Sequence, residues 1–160
     1  MKTTTIIPAI SLALASTSSF ASSPITAERA LSRYCEPLIA GSPAAQITKA
    51  AKSDGLTEVR MAGHPYLRVG ELFLGLSDAP RVCIVQAPTD MTFAQGIAVI
   101  DAWAARHPGA MQGAATKGPD GAPVKMWAVP KQRKYLLVSQ QTNTRGQKVL
   151  AFILAPLPAV

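Results

Sequence analysis

Apolar residues recur at helical spacing near the start of the chain and predict two short helices there. The first covers residues 26–39, with Thr26 as its N-cap, and we expect Pro37 to fray or end it because proline lacks a backbone N–H. Its apolar face consists of Ala27, Ala30, Leu31, Tyr34 and Leu38. The second helix covers residues 43–52, with Ser42 as its N-cap and a proline in the first helical position.

The longest helical pattern covers residues 89–107 and predicts an amphipathic helix. Thr92 and Gln95 have the spacing of a capping box, in which each side chain binds the backbone of the other residue. The apolar face consists of Phe93, Ile97, Ile100 and Ala104, widened by Val99 and Trp103. We expect this face to be buried against a sheet, and the His-Pro-Gly sequence at residues 107–109 to end the helix.

Alternating and continuous apolar runs predict about five strands. Residues 66–76 and 81–87 favour a hairpin joined by the turn sequence Ser-Asp-Ala-Pro, and Gly70 and Gly75 weaken its first strand. Three further strands are predicted in the last third of the chain. Their sequences are VKMWAV, YLLVSQQ and KVLAFILA, and the last two flank the hairpin loop TNTRGQ.

The predicted order of elements is helix, helix, strand, strand, long helix and three strands. Strands grouped as hairpins around a packed helix favour an α+β domain. We therefore expect a mainly antiparallel sheet of about five strands, packed against one long helix, with two N-terminal helices. The segment 107–123 is rich in glycine, alanine and proline and is interpreted as a surface connection within this domain.

Residues 1–21 have the pattern of a secretory signal peptide. One basic residue, Lys2, precedes an apolar stretch at residues 6–15, and small residues lead to an A-x-A-like cleavage site that ends at Ala21. The apolar stretch is about half of the roughly 20 residues needed to cross a bilayer, so we expect cleavage instead of a retained anchor. Residues 22–160 then form a single exported domain, periplasmic or secreted.

The two cysteines, Cys35 and Cys83, are predicted to form a disulfide. An even pair of cysteines in an exported chain favours this bond, and an oxidising compartment argues against a catalytic thiol. The alternative is a zinc site built from Cys35, His64, Cys83 and His107, but these residues are too far apart in the sequence to form the usual close ligand pairs. No metal or other cofactor is predicted.

Signatures of catalysis are weak in this sequence. The segment GLSDA at residues 75–79 is one residue short of a nucleophile elbow, and Ser77 precedes a predicted strand where the elbow needs a helix. Phosphate-binding loops and the short motifs of zinc proteases do not occur. No catalytic residue is predicted, although His64, in the loop sequence AGHPY, is the candidate centre of a hydrolase.

Positive charge is concentrated in the second part of the chain. Residues 22–101 contain seven Lys or Arg against eight acids, whereas residues 102–160 contain eight against one. The candidate basic patch consists of Lys125, Trp127, Lys131, Arg133, Lys134, Tyr135, Arg145 and Lys148. It favours an anionic partner, such as an envelope component or an acidic protein surface. The alternative is a solvated sheet edge that lysines protect from pairing.

Two hypotheses about function follow from these patterns. The first is a non-enzymatic binding or accessory protein that contacts an anionic partner through a basic C-terminal sheet. The second is a hydrolase of an envelope polymer, and the position of His64 relative to each Asp and Glu would separate it from the first. Nucleic acid is not an expected partner of an exported chain, and no membrane span is expected after cleavage of the signal peptide.

Overall fold

Three helical segments and one short 3₁₀ turn (Pro130–Gln132) are present in the part of the chain that the structure describes. The structure is a computed structural model that describes residues 24–114, 116–118 and 120–159, so the predicted signal peptide lies outside the described residues. The helical elements are α1 (Ala27–Ala30), a π-helical turn (Leu31–Cys35), α2 (Glu36–Ala40), α3 (Ala44–Ser53) and α4 (Phe93–Ala105). The first three are continuous with one another. None of the described helices is long and apolar enough to span a membrane.

Nine strands within the described residues form one antiparallel sheet. They are β1 (Thr57–Met61), β2 (His64–Val69), β3 (Leu72–Asp78), β4 (Arg81–Gln86), β5 (Met111–Gln112), β6 (Thr116–Lys117), β7 (Pro123–Val129), β8 (Lys134–Thr142) and β9 (Lys148–Pro156). The strand order is β1-β2-β3-β4-β9-β8-β7-β5, and β6 also pairs with β7. Strand β9 therefore lies between β4 and β8 and joins the two halves of the sheet.

The α+β class and the antiparallel sheet are confirmed, but the predicted number of strands is too low. The predicted strand at residues 66–76 is two strands, because Gly70 adopts a φ of +58° and turns the chain between β2 and β3. Strand β1 is absent from the prediction, and its exposed Glu58 and Arg60 are typical of a sheet edge. Strands β5 and β6 lie within the segment 107–123 that the sequence presents as a connection.

The N-terminal helical segment begins as predicted and continues past its proline. The hydroxyl of Thr26 accepts a hydrogen bond from the Arg29 N–H at 3.2 Å, which confirms Thr26 as the N-cap. Pro37 does not end the helix, contrary to expectation. In the π-helical turn before it the Glu36 N–H donates to the carbonyl of Leu31, five residues earlier, and α2 then carries Pro37 in its first turn, where no N–H is needed.

Helix α3 begins one residue later than predicted and takes its cap from another element. Pro43 is the N-cap residue, not Ser42, and its side chain has no hydrogen-bonding group. The carboxylate of Asp78, at the end of β3, accepts a hydrogen bond from the Ala44 N–H at 3.0 Å. A carboxylate at a helix N-terminus satisfies a free N–H and favours the helix dipole. Because Asp78 is 34 residues from Ala44 in the sequence, a local sequence pattern does not reveal this capping interaction.

Asp54, the C-cap residue of α3, ties α3 to the N-terminal helical segment. Its carboxylate accepts hydrogen bonds from Arg33 Nε at 2.6 Å, from Arg33 Nη2 at 2.8 Å and from the Tyr34 hydroxyl at 2.6 Å. The hydrogen bond from Arg33, supported by that from Tyr34, lowers the pKa of Asp54 to about 2. Burial, together with the hydrogen bond to Asp54, raises the pKa of Tyr34 to about 12. At neutral pH the Asp54 carboxylate is therefore ionised and the Tyr34 hydroxyl is protonated.

Helix α4 is shorter than the predicted helix, but its capping box is confirmed. The Thr92 hydroxyl accepts from the Gln95 N–H, and the Gln95 side chain accepts from the Thr92 N–H at 2.8 Å. Ile100 and Trp103 are buried, whereas Phe93 and Ile97 at the first turns are half-buried. Helix α4 contacts β7 and β8, and the other helical segments contact β2, β3, β4 and β9, so the sheet packs against three helical segments and not mainly against one long helix.

All three helical segments pack on the same face of the sheet. Inward side chains of neighbouring strands, such as Leu74, Val85, Phe152 and Val138, are in register with one another and belong to one core cluster with helical residues. The bond between Cys35 and Cys83 joins the N-terminal helical segment to β4, with an S–S distance of 2.01 Å and a Cα–Cα distance of 5.3 Å. The predicted disulfide is confirmed.

Candidate functional site

The face of the sheet opposite the helices, here called the open face, carries many apolar side chains. Side chains alternate between the two faces of a strand, so Ile84 points away from the helices because its neighbour Cys83 is bonded to one of them. By the same alternation Ile153 on β9 and Leu137 on β8 lie on the open face, in register with Ile84. Strands β4, β9 and β8 are therefore apolar on both faces.

The apolar side chains of the open face are separate from the core. Ile84, Ile153 and Leu137 are half-buried, and none of them belongs to the core cluster of the described residues or packs against it. Val149 and Ala151 are almost inaccessible on the open face and also lie outside that cluster. The open face is thus a second apolar layer, without a covering element among the described residues.

A cleft of about 600 Å³, here called the groove, lies at one side of the open face. It is bounded by the turn between β1 and β2 on one side and by the loop between β8 and β9 on the other. Tyr66, Phe73 and Gln86 contribute to its lining from three neighbouring strands, and Arg68, Arg145 and His64 line it as well. The strand order, in which β9 pairs with β4, brings together residues that are far apart in the sequence.

The groove carries an excess of positive charge, from two arginines against one acid among the described residues. Arg68 Nε donates to the carbonyl of Gly70 at 2.7 Å, and its guanidinium carbon lies 5.5 Å from the centroid of the Phe73 ring. Neither Arg68 nor Arg145 forms an ion pair with any residue that the structure describes. The acid that lines the groove, Glu71, accepts hydrogen bonds from Thr89, through N–H at 3.2 Å and hydroxyl at 3.0 Å. Both arginines are therefore free to bind an anion.

The loop that carries Arg145 is held in one conformation by its own hydrogen bonds. The side-chain oxygen of Asn143 accepts from the Arg145 N–H at 2.9 Å and from the Gln147 N–H at 3.0 Å. The Asn143 N–H donates to the carbonyl of Gln147 at 2.9 Å, and Gly146 adopts a φ of +74° that closes the turn. The hairpin loop predicted from the sequence TNTRGQ is confirmed, and it fixes the backbone that presents Arg145 at the groove.

The eight residues of the candidate basic patch do not form one surface. Lys131 and Arg133 lie in the turn that precedes β8, whereas Arg145 and Lys148 lie beyond the other end of that strand. Strand β8 has nine residues and separates the two pairs by roughly 26 Å, at about 3.3 Å per residue. Tyr135 is half-buried on the open face, between these ends. Of the eight, Arg145 lines the groove.

Two members of the candidate patch, Lys125 and Trp127, are engaged on the helical face. Lys125 Nζ lies 2.8 Å from Asp101 Oδ1, and Trp127 Nε1 donates to the same carboxylate oxygen at 2.7 Å. Burial opposes ionisation of Asp101, but the hydrogen bonds from Lys125 and Trp127 outweigh it, so the pKa of Asp101 lies below its ordinary value. These contacts fasten α4 to β7 and leave both side chains less available to a partner.

Lys134, another member of the candidate patch, lies in a buried polar cluster beneath the C-terminal end of α4. Its Nζ lies 2.5 Å from Glu36 Oε2 and 3.1 Å from His107 Nε2. Trp103 Nε1 donates to the other carboxylate oxygen of Glu36, and His107 Nδ1 contacts the Trp103 carbonyl at 2.7 Å. Lys134 is only 7% exposed. We therefore assign this cluster a structural role, in which it joins α2, α4 and β8.

The zinc alternative is excluded by the disulfide, because both sulfur atoms are bonded to each other. No group of three or more His, Cys, Asp or Glu side chains among the described residues could hold a metal ion. His64 and His107 lie on opposite faces of the sheet. His64 shares the groove with Glu71, but no hydrogen bond joins these two within the part of the chain that the structure describes.

Comparison of the chain with protein-family models, curated proteins and solved structures finds no match.

Proposed function

We propose that this protein is a non-enzymatic binding protein of the periplasm or the extracellular medium that holds an anionic envelope component in the groove. The observation that carries the proposal is the pair of guanidinium groups, Arg68 and Arg145, that line a cleft without ion-pair partners among the described residues. Guanidinium groups bind phosphate and carboxylate through paired hydrogen bonds. An anion is therefore the natural ligand of this cleft.

The lining of the groove supports a ligand that is not a bare ion. Tyr66 and Phe73 offer aromatic surface, and Gln86 and Gln147 offer amide groups that both donate and accept hydrogen bonds. Binding clefts typically combine apolar surface with a few such polar groups. The proposed binding site is the groove between the β1–β2 and β8–β9 hairpins and not the candidate basic patch on the C-terminal strands. Of that patch, it includes Arg145.

The proposal is tested with short polyglycerol phosphate as the anionic probe. The double variant R68Q/R145Q should abolish binding of this probe, whereas K131Q/R133Q, with the same change in net charge, should retain it. Binding by the unchanged protein should weaken steeply between low and physiological salt, because exposed charges are screened over about 8–10 Å. Loss of binding in K131Q/R133Q alone would instead place the site at the turn before β8, and equal loss in both variants would reduce the effect to net charge.

A hydrolase centred on His64 is the second candidate, since His64 and Glu71 line the same groove. A histidine and a carboxylate in one cleft can act as a base and its partner. Release of glycerol phosphate from the same polymer, lost in H64A and in E71Q, would favour the hydrolase. Binding of the intact polymer by H64A with no product from the unchanged protein would favour the binding function.

A further inference from the structure

Six residues of the open face form a continuous apolar row across the sheet, here called the lane. The register of β3, β4, β9, β8 and β7 aligns Gly75, Ile84, Ile153, Leu137 and Met126, and the Tyr66 ring on β2 covers Gly75. Except for Gly75, which is buried, all of them are half-buried. Tyr66 also lines the groove, and Phe73 and Gln86, which line it from β3 and β4, are the open-face neighbours of Gly75 and Ile84, so the groove and the lane lie side by side.

The central strand of the lane, β9, has the composition of a strand that is covered on both faces. An antiparallel sheet that faces water on one side normally alternates apolar and polar residues, but β9 presents Val149, Ala151, Ile153 and Ala155 on the open face. Contiguous apolar patches on a protein surface commonly mark a site of ligand or partner binding. A ligand that covers the lane would remove it from water without any change in the sheet.

The dimensions of the lane match an acyl chain. Adjacent strands of a sheet are about 4.8 Å apart, so the four steps from Gly75 to Met126 span roughly 19 Å. One leaflet of a bilayer contributes about 15 Å of hydrocarbon, half of a core that is about 30 Å thick. A single lipid chain can therefore lie along the lane between Gly75 and Met126.

The charges beside the lane decide between a lipid and a second copy of this chain. Among the described residues, Arg68 and Arg145 line the groove together with a single acid, Glu71, so the charged side chains of its lining carry an excess of positive charge. Two copies that met groove to groove would bring together two sites with an excess of positive charge, and like charges across an interface are unfavourable. A ligand with an apolar chain and an anionic head fits both the lane and the groove.

We propose that the lane holds the acyl chain of an anionic lipid whose headgroup lies in the groove, against Arg68 and Arg145. The inference rests on the proposed function and names its ligand class. The apolar chain supplies most of the affinity because it removes the lane from water, and the arginines supply selectivity for an anionic head. Because the lane residues are already half-buried, they form a shallow surface, and the bound acyl chain remains partly exposed along its length.

Isothermal titration calorimetry with lysophosphatidylglycerol monomers, below their micelle concentration, tests the proposal. This lipid should bind at least about tenfold more tightly than glycerol phosphate, with a negative heat-capacity change that marks apolar burial. The lane variant I84T/L137T/I153T should lose this gain and keep the weaker headgroup binding. The control variant V82T/V124T changes two open-face residues outside the lane and should bind as the unchanged protein does. Circular dichroism checks that both variants are folded.

The possible outcomes separate the two proposals. Equal affinities for lysophosphatidylglycerol and glycerol phosphate would overturn the lane as a lipid site and leave the anion-binding function intact. Equal affinities for lysophosphatidylglycerol and lysophosphatidylcholine, both lost in the lane variant, would support the lane and overturn the anionic headgroup. Absence of binding by either lipid and by glycerol phosphate would overturn both. A dimer in solution that the lane variant dissociates would assign the lane to a second copy and overturn the lipid proposal.

Discussion

The ring of Tyr66 lies against the backbone of Gly75, so close that a Cβ at Gly75 would be 2.7 Å from Tyr66 Cε1. The close approach places the ring at the junction of the groove and the lane. Only glycine at this position allows the Tyr66 ring to lie this close to β3, because a Cβ would occupy the same space.

The variant G75A should therefore weaken lipid binding with little loss of stability. The added methyl group displaces the end of the Tyr66 side chain, which can swing toward solvent, so the free energy of unfolding should change by less than about 1 kcal/mol. Loss of the aromatic contact should weaken binding of lysophosphatidylglycerol about fivefold, equivalent to about 1 kcal/mol. Urea unfolding and calorimetry measure the two effects. A large loss of stability with unchanged binding would show that the contact is only structural.

The variant G96A should destabilise the protein although alanine is the better helix former. Gly96 is buried on α4, and a Cβ there would be 2.7 Å from Leu150 Cδ1 and 3.1 Å from Val138 Cγ2. The gain in helix propensity is about 1 kcal/mol, but overpacking a core typically costs about 1–3 kcal/mol. We expect a net loss of about 1 kcal/mol in urea unfolding. A more stable variant would mean that α4 can shift away from the sheet.

The elements that the sequence predicts correctly are those that local interactions determine. The capping box of Thr92 and Gln95 needs only a spacing of three residues, and it appears in the structure where the sequence places it. Strand β1 also has a local signal, since Val59 and Met61 alternate with charged residues before a glycine turn. The signal is weak because an edge strand buries little, so hydrophobic patterns favour the central strands.

The candidate site depends on contacts between distant residues, which the sequence does not reveal. Arg68 belongs to the charge-balanced part of the chain and Arg145 to the basic part, and the pairing of β9 with β4 brings both to the groove. In the opposite sense, Lys134 counts as a surface charge in the sequence but is neutralised by Glu36 in the interior. Charge density along a chain does not distinguish buried ion pairs from binding groups.

The variant E36Q should cost far more stability than a comparable change at the surface. Glu36 is the carboxylate that balances Lys134, whose side chain is 9% exposed, so its neutralisation leaves a buried ammonium without a counter-charge. We expect a loss of about 2–4 kcal/mol in urea unfolding at pH 7. The matched control is E28Q, which removes an ion pair to Arg106 between side chains that are about half exposed, and it should cost less than about 1 kcal/mol. Equal losses would show that Lys134 finds another partner.

Stability should fall as the pH decreases from about 4 to about 2, partly through Asp54. Its pKa is lowered to about 2 by the hydrogen bonds from Arg33 and Tyr34, from an ordinary value of 3.8. Because the folded state holds the ionised form, Asp54 contributes stability above pH 4 and loses this contribution as it is protonated. The variant D54N should lose about 1 kcal/mol at pH 7, allowing for screening by solvent.

The difference in unfolding free energy between D54N and the unchanged protein should shrink toward pH 2. Urea unfolding at pH 7, 4 and 2 measures it. A difference that is constant over this range would mean that the Asp54 charge plays no part and that only its hydrogen bonds matter.

The position of β9 between β4 and β8 makes the order of chain synthesis important for folding. The hairpins before β9 can pair with their neighbours as they appear, but β4 lacks a partner on its second side until residues 148–156 have been made. Until then two apolar edges are open to pairing with other chains, which favours aggregation. Insertion of β9 satisfies both edges in one step. A chain that ended before residue 148 would therefore have two separate half-sheets, so we expect the complete sheet to form only after synthesis of this strand.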